Sequence, residues 1–230
     1  MERKDGGWHI KEKLPLVRHL SRHELHAHKA LASYAETLQE DRRVLLKRYH
    51  PHDIAFKTVG VGSVGTFCAI ALMVSDGGAP LLLQIKEAQE SVLARFAGSS
   101  VYSNHGERVV VGQRMLQAAT DIFLGWTQVP LDGRFFYIRR FKDPRLANIG
   151  ARLEATLPFY ADLCGRTLAR AHARAGDVVA ISAYIGNGTE FDKAIAEFAM
   201  SYTDQTERDW RALLDAIAAG RIIAEEPPSK

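Results

Sequence analysis

Val59-Gly60-Val61-Gly62-Ser63-Val64-Gly65-Thr66, running directly into Phe67-Cys68-Ala69-Ile70-Ala71-Leu72-Met73-Val74, is the stretch that decides how this 230-residue chain folds. Its glycines are spaced Gly-x-Gly-x-x-Gly, a pattern used by more than one kind of phosphate-binding loop. In a dinucleotide-binding turn the last glycine opens a helix, whose N-terminus holds the pyrophosphate. Here the residues after Gly65 form an aliphatic run that stops at Ser75-Asp76-Gly77-Gly78, which reads as a buried strand ending in a tight turn. The glycines therefore join two strands and fold back over a sheet.

Working outward, Ile54 to Val61 and Leu81 to Lys86 supply the flanking strands. Leu124 to Val129 and Phe135 to Phe141 read as a hairpin closed by Leu131-Asp132-Gly133, and a helix is expected from His105 or Gly106 to Thr120. Residues 51–143 thus hold about five strands, with a helix placed after the third. Residues 1–50 read as an extended lead-in and then a helix from about Ser21 to Tyr49, ended by Pro51. Residues 144–230 read as helical. Leu153, Leu157, Tyr160, Cys164, Leu168 and Ala171 make one stripe, with Pro158 at a kink or in the first turn. A second helix is expected from Asp192 to Ala219, capped by Gly220 and followed by a disordered tail from Glu225. The fold class is α+β: a small lobe of about five antiparallel strands with an inserted helix, followed by a helical region.

Composition narrows the function classes. With 47% hydrophobic and 25% charged residues the chain has ordinary globular proportions. No apolar run approaches the roughly 18–20 residues of a membrane span, and no hydrophobic signal region follows Met1, so a cytoplasmic location without membrane contact is expected. Cys68 and Cys164 read as small buried hydrophobes of a reducing compartment. Arg42, Arg43, Lys47 and Arg48 follow Glu36, Glu40 and Asp41, the pattern of an ion-paired solvated face, and no aromatic residues interleave with them. Nucleic-acid binding is not expected. His19, His23 and His26 have helical spacing but no accompanying Cys or carboxylate pattern, so no metal site is assigned to them.

The chemistry concentrates at the glycine loop. Along Leu81 to Lys86 the side chains alternate, so Leu82, Gln84 and Lys86 share a face and Lys86 projects beneath the loop. In protein kinases a glycine-rich loop covers the phosphates of ATP, and a lysine on the third strand pairs with them. The phosphate-binding set is then Gly60, Gly62, Ser63, Gly65 and Lys86, with ATP and Mg as the expected cofactor pair. Such a lysine needs a partner on the inserted helix. Gln113 has the better direction, Glu107 the better charge, and Glu90 is a third candidate; the residues do not choose among them. The backbone from Tyr137 to Phe141 is the expected adenine edge.

Several longer stretches carry a family likeness. The glycine loop, Leu83-Gln84-Ile85-Lys86-Glu87-Ala88, Gly106-Glu107-Arg108-Val109-Val110, Asp121-Ile122-Phe123-Leu124-Gly125-Trp126, Leu168-Ala169-Arg170-Ala171-His172-Ala173 and Asp204-Gln205-Thr206-Glu207-Arg208-Asp209 resemble the bacterial domain-of-unknown-function 2252 family from about residue 30 to 220. The resemblance implies a protein-kinase-like relationship. It also implies that longer relatives carry a Gly-Asp-x-His-x-x-Asn-like stretch and an Asp-Phe-Asp-like stretch ahead of the glycine loop. This sequence has neither, and His172, Asp177 and Asn187 make a poor substitute in spacing. The expectation is an incomplete kinase-like fold, corresponding to the C-terminal part of such a relative and not catalytic alone. Its partners are a nucleotide and a protein chain or upstream segment that supplies the missing lobe.

Overall fold

The structure, a computed structural model, describes residues 1–4, 6–20, 27–60, 63–129, 133–141 and 156–224, with the backbone alone at 27–30. It divides into two units, Met1–Ala171 and His172–Lys230. The elements of the first are β1 (Glu2–Lys4), β2 (Gly7–His9), β3 (Val17–His19), α1 (Ala27–Glu36), α2 (Glu40–Leu46), β4 (Tyr49–Lys57), β5 (Cys68–Ser75), β6 (Pro80–Ala88), α3 (Ala94–Ala97), α4 (His105–Leu116), β7 (Gly125–Gln128) and β8 (Phe135–Arg140). Helix α5 (Leu157–Ala175) runs across the division, and α6 (Val178–Ile185) and α7 (Glu190–Ala218) belong to the second unit.

A six-stranded antiparallel sheet in the order β3-β4-β5-β6-β8-β7 organises the first unit, and β1 and β2 pair as a separate ribbon. The α+β class and the helix after the third strand of the β4-β5-β6 meander agree with the sequence reading. The sixth strand, β3, was not foreseen. Strand β5 explains the arrangement: Cys68 to Met73 are all buried, as an unbroken aliphatic run requires when helices or loops cover both faces of its sheet. One face packs Ala71, Met73, Leu81, Leu83 and Ile138 against Tyr34, Leu38 and Leu46 of the helices and against Phe123. The other packs Ala55, Ile70 and Leu72 against Ile10, with Trp8 and Phe141 at its margin.

The helix expected over Ser21 to Tyr49 is instead two helices and the start of a strand; residues 21–26 lie outside the described residues. Thr37 causes the break. Its hydroxyl donates to the Tyr34 carbonyl at 2.7 Å and accepts the Trp126 N–H at 3.0 Å, so the tertiary contact with β7 ends α1 where periodicity would continue it. Pro51 does not end a helix. It lies inside β4, opposite Met73 of β5 and beside a register shift between Pro51 and Asp53, and β3 pairs with β4 only from Ala55 onward, so the β3 side has no ladder at the proline.

Helix α4 ends at Leu116 rather than Thr120. Gly106 and Val110 are its buried positions; Leu116 and Ala119 are exposed, and Phe123 is buried from a loop fixed by the Asp121 carboxylate, which accepts the Phe123 N–H at 2.8 Å. A Cβ at Gly106 would lie 2.4 Å from the Phe136 carbonyl oxygen, so the helix touches β8 through bare backbone. Hydrophobic counting cannot see such a contact.

Pro158 sits in the first turn of α5, where its missing N–H costs nothing. Leu153 and residues 142–155 around the expected Asp143-Pro144 boundary lie outside the described residues, as do Leu131, Asp132 and the expected tail from Glu225. Helix α6, capped by the Asp177 carboxylate accepting from Val179 and Ala180, was not foreseen, and α7 begins at Glu190. Gly220 takes φ +69°, and the Gly220 and Arg221 N–H groups donate to Ile217 and Ala216, the paired bonds that close a helix C-terminus. Cys68 is buried, whereas Cys164 is exposed on α5, contrary to the reading of both as interior residues. Among the described residues, no helix is long and apolar enough to cross a membrane.

Helices α5 and α7 keep large apolar side chains in solvent. On α7, Phe198 is 63% exposed and Trp210 59%, and Ala216 is its one buried residue; Phe159 and Leu168 of α5 are likewise exposed.

Candidate functional site

The glycine loop connects the adjacent antiparallel strands β4 and β5. Within it the Ser63 N–H donates to the Gly60 carbonyl at 3.0 Å, and the Thr66 N–H and hydroxyl donate to the Ser63 carbonyl at 3.1 and 2.9 Å. Gly65 has φ +78°, a conformation that side-chain-bearing residues rarely adopt, and nothing lies within 4 Å of where its Cβ would be. No α-helix follows Gly65: the chain passes through Thr66 and Phe67 into β5. Val61 and Gly62 lie outside the described residues.

Lys86 is in register with Cys68 on one side and Tyr137 on the other, at the end of β6 that adjoins the glycine loop. Two residues earlier, Gln84 pairs with Ile70 and Arg139. Lys57 lies one step beyond the Phe56–Ala69 pair, so strand alternation puts it on the same face as Ala55, Cys68, Gln84, Lys86 and Arg139. Arg139 Nε donates to Gln84 Oε1 at 3.2 Å, and the Gln84 amide contacts Cys68 Sγ at 3.9 Å. Lys57 Nζ stands 5.9 Å from the Phe141 ring centroid. Burial pushes the Cys68 thiol above its ordinary value, against the opposing pull of Lys86, Gln84, Lys57 and Arg139. The face is therefore electropositive around a neutral thiol.

The expected lysine partners do not reach it. Among the described residues, Lys86 makes no ion pair or hydrogen bond with Glu107, Gln113 or Glu90. Glu107 occupies the first turn of α4, where Asn104 Oδ1 accepts its backbone N–H at 3.1 Å, and Glu90 is exposed. Gln113 lies on the helix side shared with Gly106 and Val110, three residues past Val110. The expected adenine edge is already engaged: the Arg140 N–H donates to Asp121 Oδ1 at 3.2 Å and the Phe141 N–H to the Leu82 carbonyl at 2.8 Å. Sequence reasoning did not place Lys57 and Arg139 on this face. The signal was available, since both sit at positions of one parity in their strands, but it needed the register of four strands.

A cavity of about 390 Å³ lies at the other end of β6, lined by Tyr49, Leu81, Leu82, Phe123, Arg140 and Phe141. It is away from the glycine loop. Among the described residues no group of histidine, cysteine and acidic side chains could hold a metal ion.

The model of one bacterial family, described as an uncharacterised protein conserved in bacteria (DUF2252), matches residues 1–216. The chain belongs to this family. The DUF2252 match takes in β1 to β3, ahead of the residue near 30 where the resemblance in sequence begins, and reaches almost to the end of α7. It therefore includes the glycine loop, the basic sheet face and the helices that expose apolar side chains. No curated protein and no solved structure matches the chain.

Proposed function

We propose that this DUF2252 protein is a kinase-like module that binds nucleotide phosphates beneath its glycine loop and is not catalytic by itself. The observation that carries the reading is the position of Lys86: a loop of Gly60, Ser63 and Gly65 joins two neighbouring strands, and the next strand presents this ammonium near the loop's end of the sheet with no carboxylate among the described residues paired to it. Glycines allow backbone N–H groups to approach phosphate oxygens, and a lysine neutralises them as a point charge. ATP with Mg is the proposed ligand, and Gln113 or Glu107 takes up Lys86 only if α4 shifts on binding. Titration calorimetry with ATP and magnesium is expected to give micromolar binding that Lys86→Ala lowers at least tenfold. No heat with the wild-type chain, or the same affinity in Lys86→Ala, sinks the reading.

A second reading is favoured by the apolar side chains on α5 and α7. It makes the chain a structural or protein-interaction domain whose helices are covered by a protein chain or segment carrying the missing lobe. Large exposed apolar patches drive association. Light scattering on the purified chain is expected to show self-association that grows with concentration and is suppressed by the pair Phe198→Asp and Trp210→Asp. A monodisperse monomer with cooperative unfolding at all concentrations removes this second reading.

A further inference from the structure

We propose that the ligand is recognised by its run of phosphates alone, held by Lys57, Lys86 and Arg139 on the sheet face, and that no base is read. The inference rests on the phosphate-binding reading above and changes what that site selects. Its first support is the chemistry of the face. Lys57, Lys86 and Arg139 come from three strands, each is partly buried, and among the described residues none is ion-paired to a carboxylate. Partly buried cations of one sign repel each other, and an anion with several charged oxygens relieves that repulsion.

The second support is the polarity of the hydrogen-bonding groups. Gln84 is only 7% exposed; its Oε1 accepts from Arg139 and its amide donates to Cys68 Sγ, so this side chain is engaged within the face and orients Arg139. The guanidinium of Arg139 and the two ammonium groups only donate. Three cations that only donate fit a ligand rich in charged acceptors, which describes a polyphosphate better than adenine, whose exocyclic amine is itself a donor. The third support is that the Arg140 and Phe141 N–H groups, on the strand where a base edge would pair, are spent on Asp121 and Leu82. Strand spacing puts β4 and β6 roughly 10 Å apart across β5, so Lys57 and Lys86 flank Cys68 from either side. Long flexible stems let both ammonium groups converge on one chain of phosphates.

The test is calorimetry of the full chain with four probes: ATP, GTP, inorganic triphosphate and orthophosphate. Expected are equal affinities for the first three, within about threefold, and at least a hundredfold weaker binding of orthophosphate. Lys57→Gln and Arg139→Gln should each weaken triphosphate about tenfold. Lys57→Arg and Arg139→Lys should recover most of that loss, and Lys47→Gln, on the exposed end of α2, should change nothing. If the glutamine variants do not fold, the wild-type chain still decides the matter through the salt dependence of triphosphate binding, which must fall steeply for a three-charge contact. ATP bound at least tenfold tighter than triphosphate overturns the inference and leaves the nucleotide reading standing. Equal binding of orthophosphate, or loss in Lys86→Ala but not in the Lys57 and Arg139 variants, also overturns it. No binding of any probe overturns both.

Discussion

Replacing Tyr34 by alanine is expected to cost about 3–5 kcal/mol of folding free energy, the range for removing a large buried aromatic ring. Tyr34 is fully buried at the centre of the cluster formed by Leu38, Leu46, Met73, Leu83, Phe123 and Ile138. Its hydroxyl donates to the Phe123 carbonyl at 2.6 Å, across 89 residues of chain. Tyr34→Phe keeps the ring and leaves that carbonyl unpaired in the interior, for an expected loss of about 1–3 kcal/mol. Urea denaturation of the two variants separates packing from the hydrogen bond. If Tyr34→Phe matches the wild type, the bond contributes nothing.

The same residue sets an alkaline limit. Burial, with a smaller contribution from the Asp121 charge, pushes the Tyr34 hydroxyl far above its ordinary value of 10.0. A raised acid group favours its protonated form in the folded chain. The stabilisation is therefore complete below pH 10 and declines as pH climbs above it, because the unfolded chain can release a proton that the folded chain retains. The Tyr34→Phe variant should lose that part of the alkaline sensitivity.

Gly106→Ala is expected to destabilise by about 3 kcal/mol, although alanine is the better helix former by about 1 kcal/mol. The added Cβ would lie 2.4 Å from the Phe136 oxygen and 2.9 Å from its carbonyl carbon, both backbone atoms that cannot step aside as a side chain can. Either α4 lifts from β8 or the strand bends. Gly112→Ala in the same helix meets nothing within 4 Å and is expected to stabilise by about 1 kcal/mol. Opposite signs from two identical substitutions in one helix would confirm that α4 docks through Gly106. If both variants stabilise, the close approach is wrong.

How far the sequence was readable follows from what each signal depends on. The β4-loop-β5-β6 segment was legible because an aliphatic run bounded by Ser75-Asp76-Gly77-Gly78 is local information, and strand alternation then puts Lys86 on the face of Gln84. The seat of α4 was not, because its contact residue is a glycine. Nor were the ends of α1 and α4, which are set by Thr37 bonding to Trp126 and by the Asp121 loop, both tertiary matters. The candidate face was half legible: the position of Lys86 on the face of Gln84 followed from local alternation, while placing Lys57 and Arg139 there required knowing that β4, β5, β6 and β8 are consecutive neighbours.

Thr37 has a wider significance through its place beside β7. Trp126 is on an outermost strand of the sheet, and the Thr37 hydroxyl takes the N–H that would otherwise face outward. The opposite margin, β3, has only three residues, one of them Arg18 and another His19. Margins this short and this well blocked offer little template for an incoming strand. Among the described residues, the margins of the six-stranded sheet therefore give cross-β extension little purchase, and undoing the Thr37–Trp126 contact would expose the β7 edge.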